Sequence, residues 1–121
     1  MNRIEIKTEQ LPGGQHLIKP TGKLDVFSFV EFRKFFEDFC AATKEPMVVV
    51  DLSGITYIAS SGWSVLLSRR QAVRRLGGDM VICALGENLL RVYDTMKIED
   101  MLPSAPSPEE GAKLLKAPET V

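Results

Sequence analysis

The sequence is poor in the residues that metal sites, disulfide frameworks and hydrolytic centres use. It has one histidine, His16, and two cysteines, Cys40 and Cys83, among 121 residues. The cysteines are not spaced as a metal knuckle and both lie in apolar contexts, so we expect buried, reduced thiols. A lone histidine in an early strand is a poor candidate for a catalytic base. We therefore expect no metal, no cofactor and no enzymatic activity.

An excess of one charge and long apolar runs are also missing. The formal net charge is −1 at pH 7, which argues against a strong nucleic-acid binder. No apolar signal region opens the chain, and no run approaches the length of about 20 residues that a membrane helix needs. The remaining composition, 45% hydrophobic and 26% charged, is that of an ordinary globular protein. The sequence predicts one soluble, cytoplasmic domain over residues 1–121, with neither nucleic acid nor membrane as a partner.

Strand and helix patterns alternate along the chain, which predicts an α/β fold. Strands are predicted over residues 4–8, 16–20, 47–51, 79–84 and 98–102. Helices are predicted from residue 29 to a break at 43–46, and over residues 61–76, 86–95 and 107–116. The second strand is expected antiparallel to the first and near an edge because of Pro20. Ser28 and Glu31 have the spacing of a capping box for the first helix.

The first helix carries an aromatic stripe. Its members share one face at helical spacing: Phe29, Phe32, Phe36, Phe39 and Cys40. Such a face suits an aromatic ligand pocket, but a helix needs an apolar face to be buried at all. We favour packing against the sheet.

The second helix has two faces that need separate interpretation. One face is predicted to pack on the sheet: Val65, Leu66, Ala72, Val73 and Leu76. Arg69 lies in the middle of this face. Either its aliphatic chain packs while its guanidinium group reaches water, or the guanidinium group is buried with a carboxylate partner. We favour the first interpretation. The opposite face carries Trp63, Leu67, Arg70 and Arg74, which is typical of a protein-binding hot spot. The alternative, equally weighted, is that a neighbouring helix covers Trp63 and that the arginines form a solvated face.

Two hydroxyls, Ser60 and Ser61, lie where a strand passes into this second helix. A helix start offers unpaired N–H groups and a partial positive charge, so it accommodates a phosphate group. We interpret Ser60 as a phosphorylation site. A serine at a helix start is also common simply because it caps the helix.

Four stretches together resemble the STAS domain family of bacterial anti-sigma-factor antagonists, over nearly the whole length. They are Gly22-Lys23-Leu24-Asp25, Asp51-Leu52-Ser53-Gly54-Ile55, Ser60-Ser61-Gly62 and Leu76-Gly77-Gly78-Asp79-Met80-Val81-Ile82. The resemblance implies a small mixed sheet of four to five strands packed against about four helices. It also implies no catalytic site.

The resemblance implies partner switching, with Ser60 as the phosphoacceptor. The unphosphorylated protein would bind an anti-sigma factor that is also a serine kinase, phosphorylation would release it, and a PP2C-type phosphatase would restore binding. The expected partner-binding residues are Asp25, Ser60, Ser61, Gly62, Trp63, Leu67, Arg70 and Arg74.

Two positions depart from the family pattern. Ala59 stands where the family has Asp before the phosphoacceptor, and Trp63-Ser64 stands where Leu-Gly is more usual. These departures leave an alternative, a STAS scaffold or transporter-associated module that binds without phosphorylation. A hydrolase elbow would require Gly at Ile58, and no phosphate-binding loop motif is present.

Overall fold

A computed structural model describes residues 4–117 and contains six strands and four helices. The strands are β1 Ile4–Gln10, β2 His16–Leu24, β3 Met47–Asp51, β4 Ile55–Ile58, β5 Asp79–Cys83 and β6 Ser104–Ala105. The helices are α1 Phe29–Ala42, α2 Ser60–Arg75, α3 Glu87–Met96 and α4 Pro108–Leu114. The predicted α/β class and mixed sheet are confirmed.

The sheet is organised around β2, which has neighbours on both sides. β1 pairs antiparallel with it along its whole length. On its other side, β3 pairs in parallel with residues 16–18 and β4 pairs in parallel with residues 22–24. The order is β1-β2-β3-β5-β6, with β4 beside the far half of β2. The ends of β2 and β4 therefore come together at the place where α2 begins.

β2 lies next to the edge strand β1, as expected for a strand near an edge, but it is itself an interior strand. Pro20 lies between the three residues of β2 that pair with β3 and the three that pair with β4. Proline has no backbone N–H to donate, but at this point between the two pairings its absence interrupts neither the hydrogen bonds to β3 nor those to β4. The antiparallel pairing of the first two strands is confirmed.

Two strand predictions need correction. β4 was not predicted, because its four residues follow the turn after β3 and were interpreted as part of the passage into α2. The strand predicted over residues 98–102 is wrong: the N–H groups of Met101 and Leu102 both bond to the carbonyl of Ile98, at 2.9 and 2.8 Å, which makes a tight turn. The last strand is the two-residue β6 just beyond it.

Alternate residues of the central strands point to two separate apolar layers. Val48, Val50 and Ile82 face α1, α2 and α3, which cover one side of the sheet. Val49 and Val81 face the other side, where the short helix α4 packs. Because α2 lies among the helices of the larger layer, it has packed neighbours on more than one of its faces.

The aromatic stripe of α1 packs against the sheet, as predicted. Phe32 and Phe36 are fully buried, while Phe29 and Phe39 are half-buried at the margin of the core. Ser28 does not form the predicted capping box, since its side chain makes no capping bond to α1. Its buried hydroxyl instead donates to the carbonyl of Lys23.

Candidate functional site

Ser60 lies at the first position of α2, immediately after β4. The N–H of Ala59 donates to the carbonyl of Leu24 at 2.9 Å, which ties the start of the helix to the end of β2. The carbonyl of Ala59 then accepts the N–H of Trp63 at 3.0 Å, which closes the first helical turn. Ser60 is exposed and Ser61 is half-buried. The strand ends thus hold the Ser60 hydroxyl at the surface.

The helix start has an alanine where a capping side chain usually stands. Ala59 is the N-cap residue, and no side chain of the described residues caps the helix. Ser60 is therefore inside the helix, so the interpretation of Ser60 as a cap is wrong. An uncapped first turn leaves its N–H groups without a side-chain acceptor. Together with the partial positive charge of the helix end, these groups suit an anion attached to Ser60.

Gly62 is buried, and its role is to allow close packing between α2 and β2. A Cβ atom at this position would lie 2.5 Å from the carbonyl oxygen of Leu24 and 2.9 Å from Cγ2 of Ile58. Only glycine lets α2 approach the end of β2 this closely. The expectation that Gly62 presents a surface to a partner is corrected accordingly.

Trp63 does not face outwards, so the premise of an exposed hot spot is wrong. Its side chain is only 4% exposed and packs against Tyr93 of α3, with the ring centroids 6.2 Å apart. The alternative interpretation, in which a neighbouring helix covers it, is confirmed. Its indole Nε1 is buried and has no hydrogen-bond partner among residues 4–117.

Arg70 and Arg74 are paired within the domain rather than forming a freely solvated face. Both guanidinium groups contact the carboxylate of Asp79, at 3.3 Å and 3.0 Å, and that carboxylate side chain is 2% exposed. Arg70 also donates to the carbonyls of Met80 and Met101, at 2.9 and 3.0 Å. The two arginines therefore fasten the C-terminal half of α2 to β5 and to the loop before β6.

Two residues at the other margin of α2 also differ from expectation. Leu76, expected on the packed face, is 47% exposed just after the helix ends. Arg69 is half-buried and forms no ion pair among the described residues. This fits the interpretation in which its aliphatic stem packs, although its Nε atom is buried without a partner in residues 4–117.

Asp25 stabilises the loop between β2 and α1. Its carboxylate accepts the N–H groups of Phe27 at 2.9 Å and Ser28 at 3.2 Å. The same loop exposes the apolar side chains of Val26 and Phe27. Asp25 thus stabilises an exposed loop close to Ser60. The two are close because Leu24, just before Asp25, accepts a hydrogen bond from Ala59, just before Ser60.

A groove with a volume of about 480 Å³ runs beside Ser60. Its walls come from β4, from the first turns of α2 and from α3, and include Tyr57, Ser60, Trp63, Leu67, Val92 and Met96. Of the eight predicted partner-binding residues, Ser60, Trp63 and Leu67 meet here. Asp25 and Ser61 line separate depressions.

Among the groove residues that the sequence did not predict, three have large, exposed apolar side chains: Tyr57, Val92 and Met96. Tyr57 is half exposed in the strand β4 that was not predicted. Val92 and Met96 are four apart on α3 and also exposed, which was an available signal, since an apolar pair at this spacing shares one helix face.

Burial favours the neutral forms of two groups, Tyr93, which packs on Trp63, and Cys83, which lies in the apolar layer on the other side of the sheet. Burial raises the pKa of Tyr93 to about 12, with further contributions from Glu99, Asp94 and Asp100. Its hydroxyl donates to the carbonyl of Leu102 at 2.7 Å. Burial likewise raises the pKa of the Cys83 thiol to about 12. Tyr93 is therefore a protonated structural donor at neutral pH.

Residues 4–117 contain no cluster of histidine, cysteine and acidic side chains able to hold a metal ion. Within the same range, no helix is both long and apolar enough to cross a membrane. His16 begins β2, whereas Leu24 beside the Ser60 turn ends it, a separation of about 26 Å along an extended strand. This distance excludes His16 as a base for Ser60.

Comparisons with known proteins agree with this architecture. A curated relative, BtrV of Bordetella bronchiseptica, named as a proposed anti-sigma factor antagonist, is 32% identical over 72 residues. The match spans 60% of this chain and 62% of that protein. The crystal structure of an anti-sigma factor antagonist from Mycobacterium paratuberculosis superposes with a TM-score of 0.78, at 18% identity and 93% coverage of both chains.

A second solved structure is the phosphorylated form of SpoIIAA, a Bacillus cell fate determinant. It has a TM-score of 0.63 and 16% identity, over 90% of this chain and 97% of that one. At these identities the two structures establish the fold. The family model described as STAS domain matches residues 5–111, and the chain therefore belongs to the STAS domain family.

Proposed function

We propose that this protein is an anti-sigma factor antagonist that acts by partner switching in the bacterial cytoplasm. When Ser60 is unphosphorylated, the protein binds an anti-sigma factor that is also a serine kinase, and the bound kinase releases its sigma factor. Phosphorylation of Ser60 ends this binding, and a PP2C-type phosphatase restores it. The protein is thus a regulator of transcription through protein contacts rather than a catalyst. The names of its relatives support this class.

The observation that carries the proposal is the position of Ser60. Ser60 is exposed, stands at an uncapped helix start and lies on the wall of a groove. A phosphate adds a charge of about −1.5 to −2 and three acceptor oxygens. The helix start tolerates this charge, whereas a partner seated in the groove meets it directly. The switch therefore acts by local charge and sterics without refolding.

One observation favours a second candidate function. Ala59 supplies no carboxylate to orient the Ser60 hydroxyl or to be recognised by a kinase. If Ser60 is therefore not a kinase substrate, the protein is a constitutive scaffold or transporter-associated module that uses the same groove. The two candidates share the docking surface and differ only in whether Ser60 is a substrate.

Phosphorylation separates the candidates. The wild type and the variants Ser60→Ala and Ser61→Ala are incubated with ATP and each anti-sigma factor kinase of the source genome, and modified peptides are located by mass spectrometry. We expect one phosphate on the wild type and on Ser61→Ala, and none on Ser60→Ala. An unmodified wild type, in the presence of a kinase that binds it, contradicts the switch and favours the scaffold.

A further inference from the structure

The groove beside Ser60 has a buried hydrogen-bond donor in its wall. Trp63 lines the groove and is 4% exposed, and its indole Nε1 has no acceptor within residues 4–117. A buried donor without an acceptor costs about 1–3 kcal/mol. The hydroxyl of the neighbouring Tyr93 donates to Leu102, and it does not accept from the indole, which has no partner among the described residues. Buried polar groups of this kind usually have an acceptor, so its absence here needs an explanation.

The other lining residues define what can enter the groove. None of the nine is charged. A carboxylate buried among them would find no cation, which is strongly unfavourable. Apolar side chains dominate the walls, and two of them, Val92 and Met96, are exposed before any partner binds. The lining therefore suits an apolar side chain accompanied by an uncharged oxygen acceptor.

We infer that the groove receives a segment of the partner protein that inserts an apolar side chain and presents a main-chain carbonyl oxygen to the indole of Trp63. Because the indole Nε1 is buried, the groove wall has to rearrange before a carbonyl reaches it; Met96, which has a flexible side chain, is part of that wall. This inference rests on the proposed function and names the contact through which it operates.

The same geometry explains why Ser60 controls this contact. Ser60 and Trp63 are three residues apart on α2 and line the same groove. A carbonyl oxygen carries partial negative charge, so a phosphate on Ser60 repels the group that the indole would attract. Phosphorylation and hydrogen bonding to the indole thus compete at one place.

Trp63 is the single tryptophan of the chain, so its indole gives one resonance in a 15N-correlated spectrum. The 15N-labelled protein is titrated with each anti-sigma factor of the source genome. We expect the indole signal to shift downfield when the partner that binds is added. An unchanged indole signal in a complex that forms overturns the inference and leaves the proposed function intact. A shift produced by raising the concentration of the protein alone identifies a second copy as the occupant and also overturns it.

Trp63→Phe removes the donor and keeps an aromatic ring. We expect about a 3- to 10-fold loss of affinity for the partner, the equivalent of one hydrogen bond. Equal affinity of Trp63→Phe and wild type overturns the inference.

A pair of α3 variants keeps the inference testable if Trp63→Phe folds poorly. Val92 is 45% exposed in the groove, and Leu90 is 42% exposed outside it on the same helix. We expect Val92→Glu to weaken binding at least tenfold and Leu90→Glu to leave it unchanged. Equal effects of the two variants overturn the inference. If no anti-sigma factor binds the wild type, the proposed function fails and this inference fails with it.

Discussion

The two ends of α2 differ in how their polar groups are satisfied. At the C-terminal end, Arg70 and Arg74 are held by a carboxylate that is 2% exposed, and their other donors reach backbone carbonyls. At the N-terminal end, no side chain among the described residues caps the helix, and the Ser60 hydroxyl is exposed. The charged end of this helix therefore fastens it to the sheet, while its uncharged end leaves Ser60 exposed, where we propose phosphorylation.

Substitution of Asp79, which contacts Arg70 and Arg74, should have the largest effect on stability. Asp79→Ala leaves two guanidinium groups without their carboxylate, and it also removes the acceptor for the N–H of Lys116. We expect the free energy of unfolding to fall by about 3 kcal/mol, with the affinity of the folded protein for its partner unchanged. Urea denaturation gives the first quantity and titration of the folded fraction gives the second.

Glu87→Ala is the matched control, since its ion pair with Arg91 is 80% and 73% exposed. It should cost less than about 1 kcal/mol. If Asp79→Ala costs no more than Glu87→Ala, or if it abolishes binding of the folded protein, the division of roles between the ends of α2 is contradicted.

Gly62→Ala tests the close approach at the N-terminal end. The added Cβ meets the carbonyl oxygen of Leu24 at 2.5 Å, so α2 must shift away from β2. We expect a loss of about 1–3 kcal/mol of stability. Gly86→Ala, where a Cβ meets no atom within 4 Å, should cost less than about 1 kcal/mol. Equal costs in thermal denaturation would show that the contact is not tight.

Tyr93→Phe is expected to have the smallest effect. It deletes one buried hydrogen bond, to Leu102, which is worth about 1 kcal/mol. In the folded protein the pKa of Tyr93 is raised from 10.0 to about 12. The stability that the protonated hydroxyl contributes is therefore complete below pH 10 and is lost as the pH rises towards 12.

Unfolding measured from pH 8 to 12 checks this prediction. Cys83 also has a raised pKa and contributes to the alkaline loss, so Tyr93→Phe should flatten the pH profile only in part. A profile identical to that of the wild type would contradict the buried role of the Tyr93 hydroxyl.

Local patterns predicted most of the fold because most elements have a clear periodicity. The phenylalanine stripe of α1 and the β-branched run of β3 each indicate one structure, and the resemblance supplied their arrangement. The strand β4 was missed because four residues between two turns carry no resolvable period. Its pairing with β2 is a long-range contact that no local pattern encodes.

The site was harder to predict than the fold because helix periodicity separates faces but does not say how many of them are covered. Periodicity alone leaves an outward Trp63 and a covered Trp63 equally possible, and the structure shows that α3 packs on it. The arginines could not be assigned from the sequence either, since their partner Asp79 begins β5 only after the chain has reversed direction. The position of Ser60 at the helix start was predictable because the serine pair directly precedes the run of helix-forming residues in α2.

The central claim is that phosphate on Ser60 changes docking without changing the fold. The direct measurement is to compare Ser60-phosphorylated and unmodified protein in the same preparation, recording both the affinity for the anti-sigma factor and the free energy of unfolding. We predict at least a tenfold loss of affinity, about 1.4 kcal/mol, with the free energy of unfolding unchanged. Equal affinities, or a loss of stability as large as the loss of binding, would contradict the account.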